Sequence, residues 1–305
     1  MSILIKYLYD TIYFTGPILL CTLGGLFAYK ANMVNIGLEG MMLFGGFISA
    51  LVIFYTHSFW LGIVSVIIFE ILIGLLFSYF AVTRKANFII TGFAINLLAT
   101  AVGYYTIALM KSTDINIIMV EGINKLKVNL WLIKDIPGLG DVLSGHPPFT
   151  YLSFILIFVV YYLIYKTKFG TYVRVVGENE EAARSVGIKD NYIRYLAIII
   201  GAVFCGFAGY NVAVEKLASY TPAITAGTGF IAIAAIYCGN GDPKKSSIYA
   251  LLFGLTKALA VNLSLHIGSI AGLFEIIPYL TIIIALSFVA VLRKRKTHVR
   301  GFINE

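Results

Sequence analysis

Apolar residues stand in long runs along almost the whole chain, and the short segments between these runs hold most of its charges. Uninterrupted runs of roughly 18 residues or more are typical of helices that cross a lipid bilayer. About nine such helices are predicted, with eight to ten as the range, at approximately 11–29, 34–55, 59–82, 87–109, 149–165, 193–213, 224–239, 246–265 and 272–292. The pattern therefore predicts an all-α polytopic membrane protein, with residues 1–305 forming a single transmembrane domain.

The seventh run is the weakest of the set, because its strongly apolar part, 230–238, is short for a helix that crosses the bilayer. A re-entrant or broken helix is tolerated at membrane depth where its backbone is buried in protein. Both a full crossing and a broken helix therefore remain open for 224–239.

The composition agrees with a membrane protein. Hydrophobic residues make up 59% of the 305 positions and charged residues 12%, which lies outside the range of soluble domains. The first ten residues lack a basic segment followed by a small-residue cleavage site, so we expect no removable signal peptide. The cysteines, Cys21, Cys205 and Cys238, fall in apolar runs and are interpreted as buried thiols.

Motifs for catalysis or metal binding are missing from the sequence. It contains no HExxH, no paired-cysteine motif and no GxxxxGK[ST] phosphate loop. We therefore predict no catalytic residues and no metal site, and a role in transport rather than an enzyme activity.

The basic residues predict the orientation of the chain. With the N-terminus outside, the inner connections and the tail carry most lysines and arginines, so the positive-inside rule favours an outer N-terminus and an inner C-terminus. The net charge of +8 is spread over separate loops, which argues against a nucleic-acid partner. In this orientation 110–148 is an extracytoplasmic loop, whose mixed composition predicts an ordered cap, and 166–192 is a cytoplasmic loop.

The cytoplasmic loop contains the densest cluster of charge, the stretch VGENEEAARSVGI at 176–188. Asn179 is a suitable N-cap, two glutamates follow it in the first turn, and Gly187 suits the position after the helix. These signals predict a short helix of about two turns. From the pattern alone, a solvated linker helix is as good an interpretation as a docking element.

Four segments of the chain together resemble one family of membrane proteins. They are KFGTYVRVVGENEEAARSVGI (168–188), VNIGLEGMMLFGGF (34–47), AGTGFIAIAAIYCGNGDP (226–243) and IPYLTIIIAL (277–286). In this order they resemble the permease subunits of ABC importers, in the branch that handles nucleosides and simple sugars and is related to branched-chain amino acid permeases. The pair Tyr237 and Cys238 departs from the Phe-Gly that the family tends to have there.

The resemblance implies a permease of the type II ABC importer kind, similar to the shorter of the two permeases in nucleoside importers. It also implies that the loop helix is a coupling helix, which docks on an ATPase subunit and transmits its closure. The coupling residues by this resemblance are Arg174, Gly177, Glu178, Asn179, Glu180, Glu181, Ala182, Ala183, Arg184 and Gly187. We expect charge reversal at Glu181 or added bulk at Ala183 to uncouple transport.

The resemblance further implies partners and a location. The expected partners are an ABC ATPase that holds ATP and magnesium, a second permease, an extracytoplasmic solute-binding lipoprotein and the lipid bilayer. This chain is expected to bind no cofactor itself. The expected location is the cytoplasmic (inner) membrane of a bacterium, with many crossings.

Polar residues inside the apolar runs are the candidates for a translocation path, since polar groups at membrane depth are costly unless they face a cavity or one another. The candidates are Asn35, Glu39, Asn96 and Asn211. Structural alternatives remain open for three of them: Glu39 can reach the inner surface, and Asn96 and Asn211 can bridge helices. Glu70 and Lys257 are predicted to pair with each other or with polar neighbours.

The predicted function is a membrane-spanning permease subunit that forms the path for nucleosides in an ABC importer. A permease for simple sugars, pentoses or hexoses, is the alternative within the same class. An ion-coupled secondary transporter is the alternative from another class, because Glu39 and Glu70 leave a membrane carboxylate relay open. That class leaves the charged loop helix without a role.

Overall fold

The structure is a computed structural model that describes residues 3–123, 126–131, 136, 138–266 and 271–301. Almost all of its regular elements are helices, together with two strands, β1 (Ile115–Asn116) and β2 (Ser219–Tyr220). The helices are α1 (Ile3–Lys30), α2 (Leu38–Thr56), α3 (Phe59–Ser78), α4 (Phe88–Leu109), α5 (Leu139–Leu143), α6 (Pro148–Lys166), α7 (Lys168–Glu178), α8 (Glu180–Ser185), α9 (Asp190–Tyr210), α10 (Thr228–Cys238), α11 (Pro243–His266), α12 (Ala271–Phe274) and α13 (Ile277–Gly301). Single π-helical turns, Tyr79–Thr83 and Asn211–Lys216, extend α3 and α9.

Eight helices within the described ranges are long and apolar enough to cross a membrane. This number lies within the predicted range, and the predicted all-α polytopic fold is confirmed. The difference from nine lies in the seventh run, which forms the 11-residue helix α10. At 1.5 Å per residue α10 is about 16 Å long, roughly half of the hydrocarbon core, so it does not cross alone.

The bundle is arranged around α1. In the most apolar 18-residue window of α1, 83% of the residues are buried. In the span Gly272–Val291, most of which is α13, the corresponding share is 6%. Helices α6, α9, α10 and α11 all pack against α1. A helix that is apolar on all sides and buried forms the core, whereas the apolar but exposed α13 lies on the outside of the bundle.

Glycines allow α2 and α9 to cross at close range. A Cβ atom at Gly209 would lie 2.0 Å from the carbonyl oxygen of Met42, and one at Gly45 would lie 2.4 Å from Gly206 Cα. Small residues at such crossings let two backbones approach each other inside a membrane. The glycines of the second run therefore serve packing, which holds the cleft described below in place.

The two long loops lie at opposite ends of α1, which is about 42 Å long. Near its start, the Tyr9 hydroxyl donates to the carbonyl oxygen of Gly145, at 3.0 Å. At its end, Gly177 approaches so closely that a Cβ would lie 2.0 Å from the carbonyl oxygen of Lys30. The 110–148 loop and the 166–192 loop are therefore at opposite ends of the bundle.

The 110–148 loop has regular structure of its own. Strand β1 pairs antiparallel with β2, with Ile115 opposite Tyr220, and Val128 forms an isolated bridge with His146. The His146 ring stacks on the Tyr9 ring, with centroids 4.2 Å apart. An ordered cap was expected from the composition. Within this loop, 124–125, 132–135 and 137 lie outside the described residues.

Candidate functional site

The helix predicted in the 166–192 loop is present as α8. The Asn179 side chain caps it, since its Oδ1 accepts a hydrogen bond from the Ala182 backbone N–H at 3.0 Å. Gly187 follows the helix with φ +79°, a left-handed conformation that glycine adopts without strain. Its backbone N–H donates to the carbonyl oxygen of Arg184 at 3.0 Å. Both predicted ends of the helix are therefore confirmed.

A network of charges joins α8 to the start of α9. Arg184 donates to both carboxylate oxygens of Asp190, at 3.1 and 2.9 Å, and also contacts Glu180. Arg194 donates to the other oxygen of Glu180 at 2.7 Å. The hydrogen bond to Asp190, together with its negative charge, raises the pKa of Arg184. Asp190 and Arg194 thus hold α8 in place, although neither was among the predicted coupling residues. No sequence motif links them to α8, so the sequence alone did not indicate this role.

The residues of α8 divide into a buried anchor and an exposed face. Ala183 is fully buried, so its role is to hold the helix against the loop. Glu181, Ala182 and Ser185 are exposed, and the side chain of Val186, just after the helix, is 72% exposed. An exposed apolar residue beside charged ones is a suitable contact for another protein.

An apolar pocket of about 440 Å³ adjoins this face. Its walls come from α7, from the segment after α8 and from α9, and include Phe169, Tyr172, Val186 and Tyr192. The exposed side of the loop therefore offers both a projecting helix and a recess. We call Glu181, Ala182, Ser185 and Val186 the α8 face.

The remaining predicted coupling residues lie elsewhere in the loop. Arg174, Gly177 and Glu178 belong to α7 and line a cavity against the end of α1. Arg174 also lies over the Tyr165 ring, with its guanidinium carbon 5.4 Å from the ring centroid. The structure thus separates the predicted set into the α8 region and a joint between α7 and α1.

Inside the bundle, Glu39 of α2 holds the start of α10. Its Oε1 accepts hydrogen bonds from the Thr225 hydroxyl at 2.6 Å and from the Gly227 N–H at 2.9 Å. Its Oε2 accepts from the Gly229 N–H at 2.6 Å. The first N–H groups of a helix have no partner within the helix, and its N-terminus attracts negative charge. Glu39 therefore caps α10 and does not extend to the surface.

A lysine completes this cluster from the other side. Lys257 Nζ donates to the Thr228 hydroxyl oxygen at 2.7 Å, and that hydroxyl donates to the carbonyl oxygen of Thr225 at 2.5 Å. The predicted polar partner of Lys257 is thus Thr228, and Glu70 lies elsewhere. The sequence analysis missed Thr225 and Thr228, because threonine is common in apolar helices and gives little signal there.

Asn96 fixes the start of α2. Its Oδ1 accepts from the Gly40 N–H at 2.7 Å, and its Nδ2 donates to the carbonyl oxygen of Ile36 at 3.1 Å. Gly40 approaches the backbone of Asn96 so closely that a Cβ would lie 2.7 Å from Asn96 Cα. Asn96 therefore joins α4 to α2 beside the start of α10.

Glu39 and Asn96 meet in one cleft of about 310 Å³ on the side of the bundle. Phe93, Leu97 and Phe230 form its apolar walls and are each more than one third exposed. The cleft lies at the start of α10, and the other end of α10 reaches Tyr29 at the end of α1. By the length of α10 it is about 16 Å from that end of the bundle, at membrane depth.

The other two path candidates lie away from this cleft. Asn35 accepts a hydrogen bond from the Gly37 N–H at 2.9 Å and stabilises the turn before α2. Asn211 donates to Thr150 Oγ1 at 3.3 Å and to Glu215 Oε2 at 2.6 Å, which ties the end of α9 to the start of α6.

Glu70 differs from every other carboxylate discussed. It is fully buried, and neither of its oxygens has a hydrogen-bond partner among the described residues. A buried polar group without a hydrogen bond is costly, so Glu70 is an exception among the buried polar side chains of the bundle. Of the two predicted arrangements, pairing with each other or with polar neighbours, Lys257 has the second, with Thr228 as its partner. Glu70 has neither among the described residues.

A bundle of membrane-crossing helices, with a polar cleft at depth and a capped helix exposed at one end, is the architecture of a transport permease. Comparison with known proteins agrees. A family model described as "Branched-chain amino acid transport system / permease component" matches residues 7–286, and the chain belongs to this family. It is a multi-pass membrane protein and, as a permease, a transport subunit.

Several curated proteins are similar to the chain over most of its length. The guanosine ABC transporter permease protein NupQ of Bacillus subtilis is 31% identical over 282 residues, covering 90% of this chain and 86% of that protein. The nucleoside ABC transporter permease protein NupC of Lactococcus lactis is 30% identical, covering 90% and 89%. The putative glucose ABC transporter permease protein TsgC13 of Haloferax volcanii is 28% identical, covering 95% and 93%. No solved structure matches the chain.

Proposed function

We propose that this chain is one of two permease subunits of an ABC importer that carries nucleosides across the cytoplasmic membrane. The observation that carries the proposal is the match, along nine tenths of the chain, to permeases of a guanosine and a nucleoside transporter. ATP and magnesium are bound by a separate ATPase subunit, and this chain supplies the path. An ion-coupled transporter is disfavoured, because that class does not account for an exposed, capped loop helix.

The cleft has the chemistry that a nucleoside requires. The partly exposed Phe93 and Phe230 rings offer flat apolar faces to a base. Asn96 uses one amide hydrogen on Ile36 and has a second for a solute. Glu39 is already bonded to three donors, so it shapes the cleft and is not the main solute ligand. The cleft is open on the side of the bundle, where a second permease closes it.

The loop at the opposite end of α1 from the 110–148 cap provides a route for coupling. In this mechanism an ATPase subunit binds the α8 face and moves the loop when it closes on ATP. Gly177 of α7 touches the backbone at Lys30, so the movement reaches the central helix α1 directly. In this arrangement the N-terminus is outside, and a solute-binding protein docks on the 110–148 loop, where Trp131 is 80% exposed.

A simple sugar is the second candidate solute. The similarity to a putative glucose permease, over 95% of the chain, favours it. Sugars are recognised chiefly by hydrogen bonds to hydroxyl groups, whereas the apolar walls of this cleft suit a base. The nucleoside is therefore the first choice, and the two solutes are separated by the experiment below.

The test starts from the tagged chain, purified in mild detergent from its own cells together with whatever subunits remain bound. The complex is placed in liposomes, and ATP hydrolysis is measured with a panel of nucleosides, ribose and glucose in the presence of the solute-binding protein. We expect an ABC ATPase to co-purify and nucleosides to stimulate hydrolysis. Stimulation by a sugar alone selects the second candidate.

Two charge reversals form a matched pair for the coupling role. Glu181→Lys changes the α8 face, and Glu121→Lys changes an exposed glutamate in the 110–148 loop at the other end of the bundle. We expect the ATPase to be lost from the first variant and retained by the second. Purification of the native chain alone, with solute transport in vesicles that lack ATP, would contradict the proposal.

A further inference from the structure

A cavity of about 360 Å³ lies where the end of α1 meets α7 and the end of α10. Gly177 of α7, which lines the cavity, packs closely against the end of α1, since a Cβ atom there would lie 2.0 Å from the carbonyl oxygen of Lys30. Its volume is within the range of roughly 300–1,000 Å³ that is typical of small-ligand pockets. The cavity is therefore a formed pocket at the joint between the loop and the central helix.

Two cationic side chains line this pocket. Arg174 and Lys30 both line it. The ion pairs found in the described part of the chain involve neither side chain. A guanidinium next to an ammonium group matches the oxygens of a phosphate.

The other polar and aromatic groups suit the rest of a nucleotide. The rings of Tyr29 and Tyr237 meet edge to face, with centroids 5.2 Å apart, and both line the pocket. Aromatic rings beside a pocket are a general means of binding a base. Glu178, which is exposed at the rim, provides a carboxylate of the kind that accepts hydrogen bonds from ribose hydroxyls.

We propose that this pocket is a regulatory site for a nucleoside monophosphate on the inner side of the membrane, with its phosphate on Lys30 and Arg174, its ribose on Glu178 and its base beside the two tyrosines. The inference rests on the proposed function, which places the pocket on the inner side of the membrane and gives an importer of nucleosides a reason to respond to a nucleotide. A nucleoside that enters the cell is consumed by phosphoryl transfer to its 5′ hydroxyl. The product of that reaction is the ligand, so binding reports that enough nucleoside has entered.

The position of the pocket determines the effect of binding. One ligand contacts α1 through Lys30, α7 through Arg174 and the end of α10 through Tyr237. It therefore holds three elements together at the joint that transmits movement from α8 to α1. We expect the bound monophosphate to inhibit nucleoside-stimulated ATP hydrolysis, because a ligand stabilises the conformation that it binds best.

The experiment uses the whole importer in liposomes, with the ATPase side outward. GMP, UMP or inorganic phosphate is added on that side, and hydrolysis is measured relative to the uninhibited rate of the same variant. We expect GMP or UMP to inhibit at concentrations where inorganic phosphate has little effect. Lys30→Gln should raise the half-inhibitory GMP concentration about tenfold, and Lys30→Arg should restore most of the inhibition.

The control is Lys166→Gln, which makes the same charge change at an exposed lysine that does not line the pocket. If Lys30→Gln fails to assemble, Tyr237→Leu is measured instead, and it should weaken inhibition by GMP. Inhibition that persists unchanged in the pocket variant that is measured assigns GMP to the ATPase subunit and overturns the inference. Equal inhibition by inorganic phosphate also overturns it, since the base and ribose then contribute nothing. Absence of nucleoside stimulation without GMP contradicts the proposed function instead.

Discussion

The cleft and the 166–192 loop each contain a glutamate beside the start of a short helix, and the two glutamates are satisfied in opposite ways. Glu39 accepts hydrogen bonds from two backbone N–H groups and one hydroxyl. Glu180 pairs with Arg184 and Arg194, and its side chain is 37% exposed. One carboxylate is bound mainly by backbone N–H groups, the other by two arginine side chains.

The difference follows from the surroundings. At membrane depth the lipid offers no acceptor to the first N–H groups of α10, and the protein supplies one in Glu39. At the surface, water competes for the N–H groups and screens the charges, and Asn179 already caps α8. Removing Glu39 should therefore damage the fold, whereas removing Glu180 should mainly loosen a surface contact.

The largest effect is expected from Glu39→Ala. It leaves the N–H groups of the partly buried Gly227 and the buried Gly229 without an acceptor, and the loss at a buried group costs about 1–3 kcal/mol. A denaturant titration of the purified protein in detergent measures this loss of stability. Uptake of the solute should fall with it, because α10 forms one wall of the cleft.

Glu39→Gln is the matched control for this prediction. An amide oxygen can still accept from part of the cluster, so the stability of this variant should fall between that of the native protein and Glu39→Ala. Equal stability of all three proteins would contradict the capping role.

Much of the fold could be predicted from the sequence, because in a membrane each crossing helix is a continuous apolar run. The exception was α10. Its apolar residues continue into a segment with no charge, so composition did not separate a short helix from a full crossing. The length of α10 depends on where it starts, and that start is capped by Glu39, which belongs to a different helix.

The site was predictable only where its signals are local. The ends of α8 follow from Asn179 and Gly187, which are both within the helix or next to it. By contrast, Asn96 and Asn211 carry the same signal, an amide in an apolar run, yet one lies in the cleft and the other joins α9 to α6. Which of them faces a cavity depends on contacts between distant segments, and the sequence pattern does not contain that information.

The next effect in size separates the buried and exposed sides of α8. Ala183→Arg places a charged side chain where no space exists, which should destabilise the loop by about 3 kcal/mol and also remove the ATPase. Ala182→Arg, at the neighbouring exposed position, should leave stability unchanged and weaken only ATPase binding. Thermal unfolding and co-purification, measured on both variants, check the pair. Similar stability of the two variants would show that Ala183 is not an anchor.

A smaller effect is expected from Asn96→Ala. Losing both hydrogen bonds frees the Gly40 N–H and the Ile36 carbonyl at the start of α2, at a cost of about 1–3 kcal/mol. If α2 is held chiefly by its glycine packing against α9, Asn96→Ala will be as stable as the native protein, measured by denaturant titration.

The smallest effect is expected from Glu180→Gln, which removes the negative charge between Arg184 and Arg194. Exposed ion pairs contribute about 0–1 kcal/mol, and salt screens them, so the loss should be near the lower end and should vanish at high ionic strength. The cap from Asn179 and the paired contacts of Arg184 with Asp190 still hold α8 in place. Unfolding measured at low and high salt provides the check. A loss comparable to that of Glu39→Ala, unaffected by salt, would mean that the loop carboxylate is bound as firmly as the one in the membrane, and the contrast between the two regions would fail.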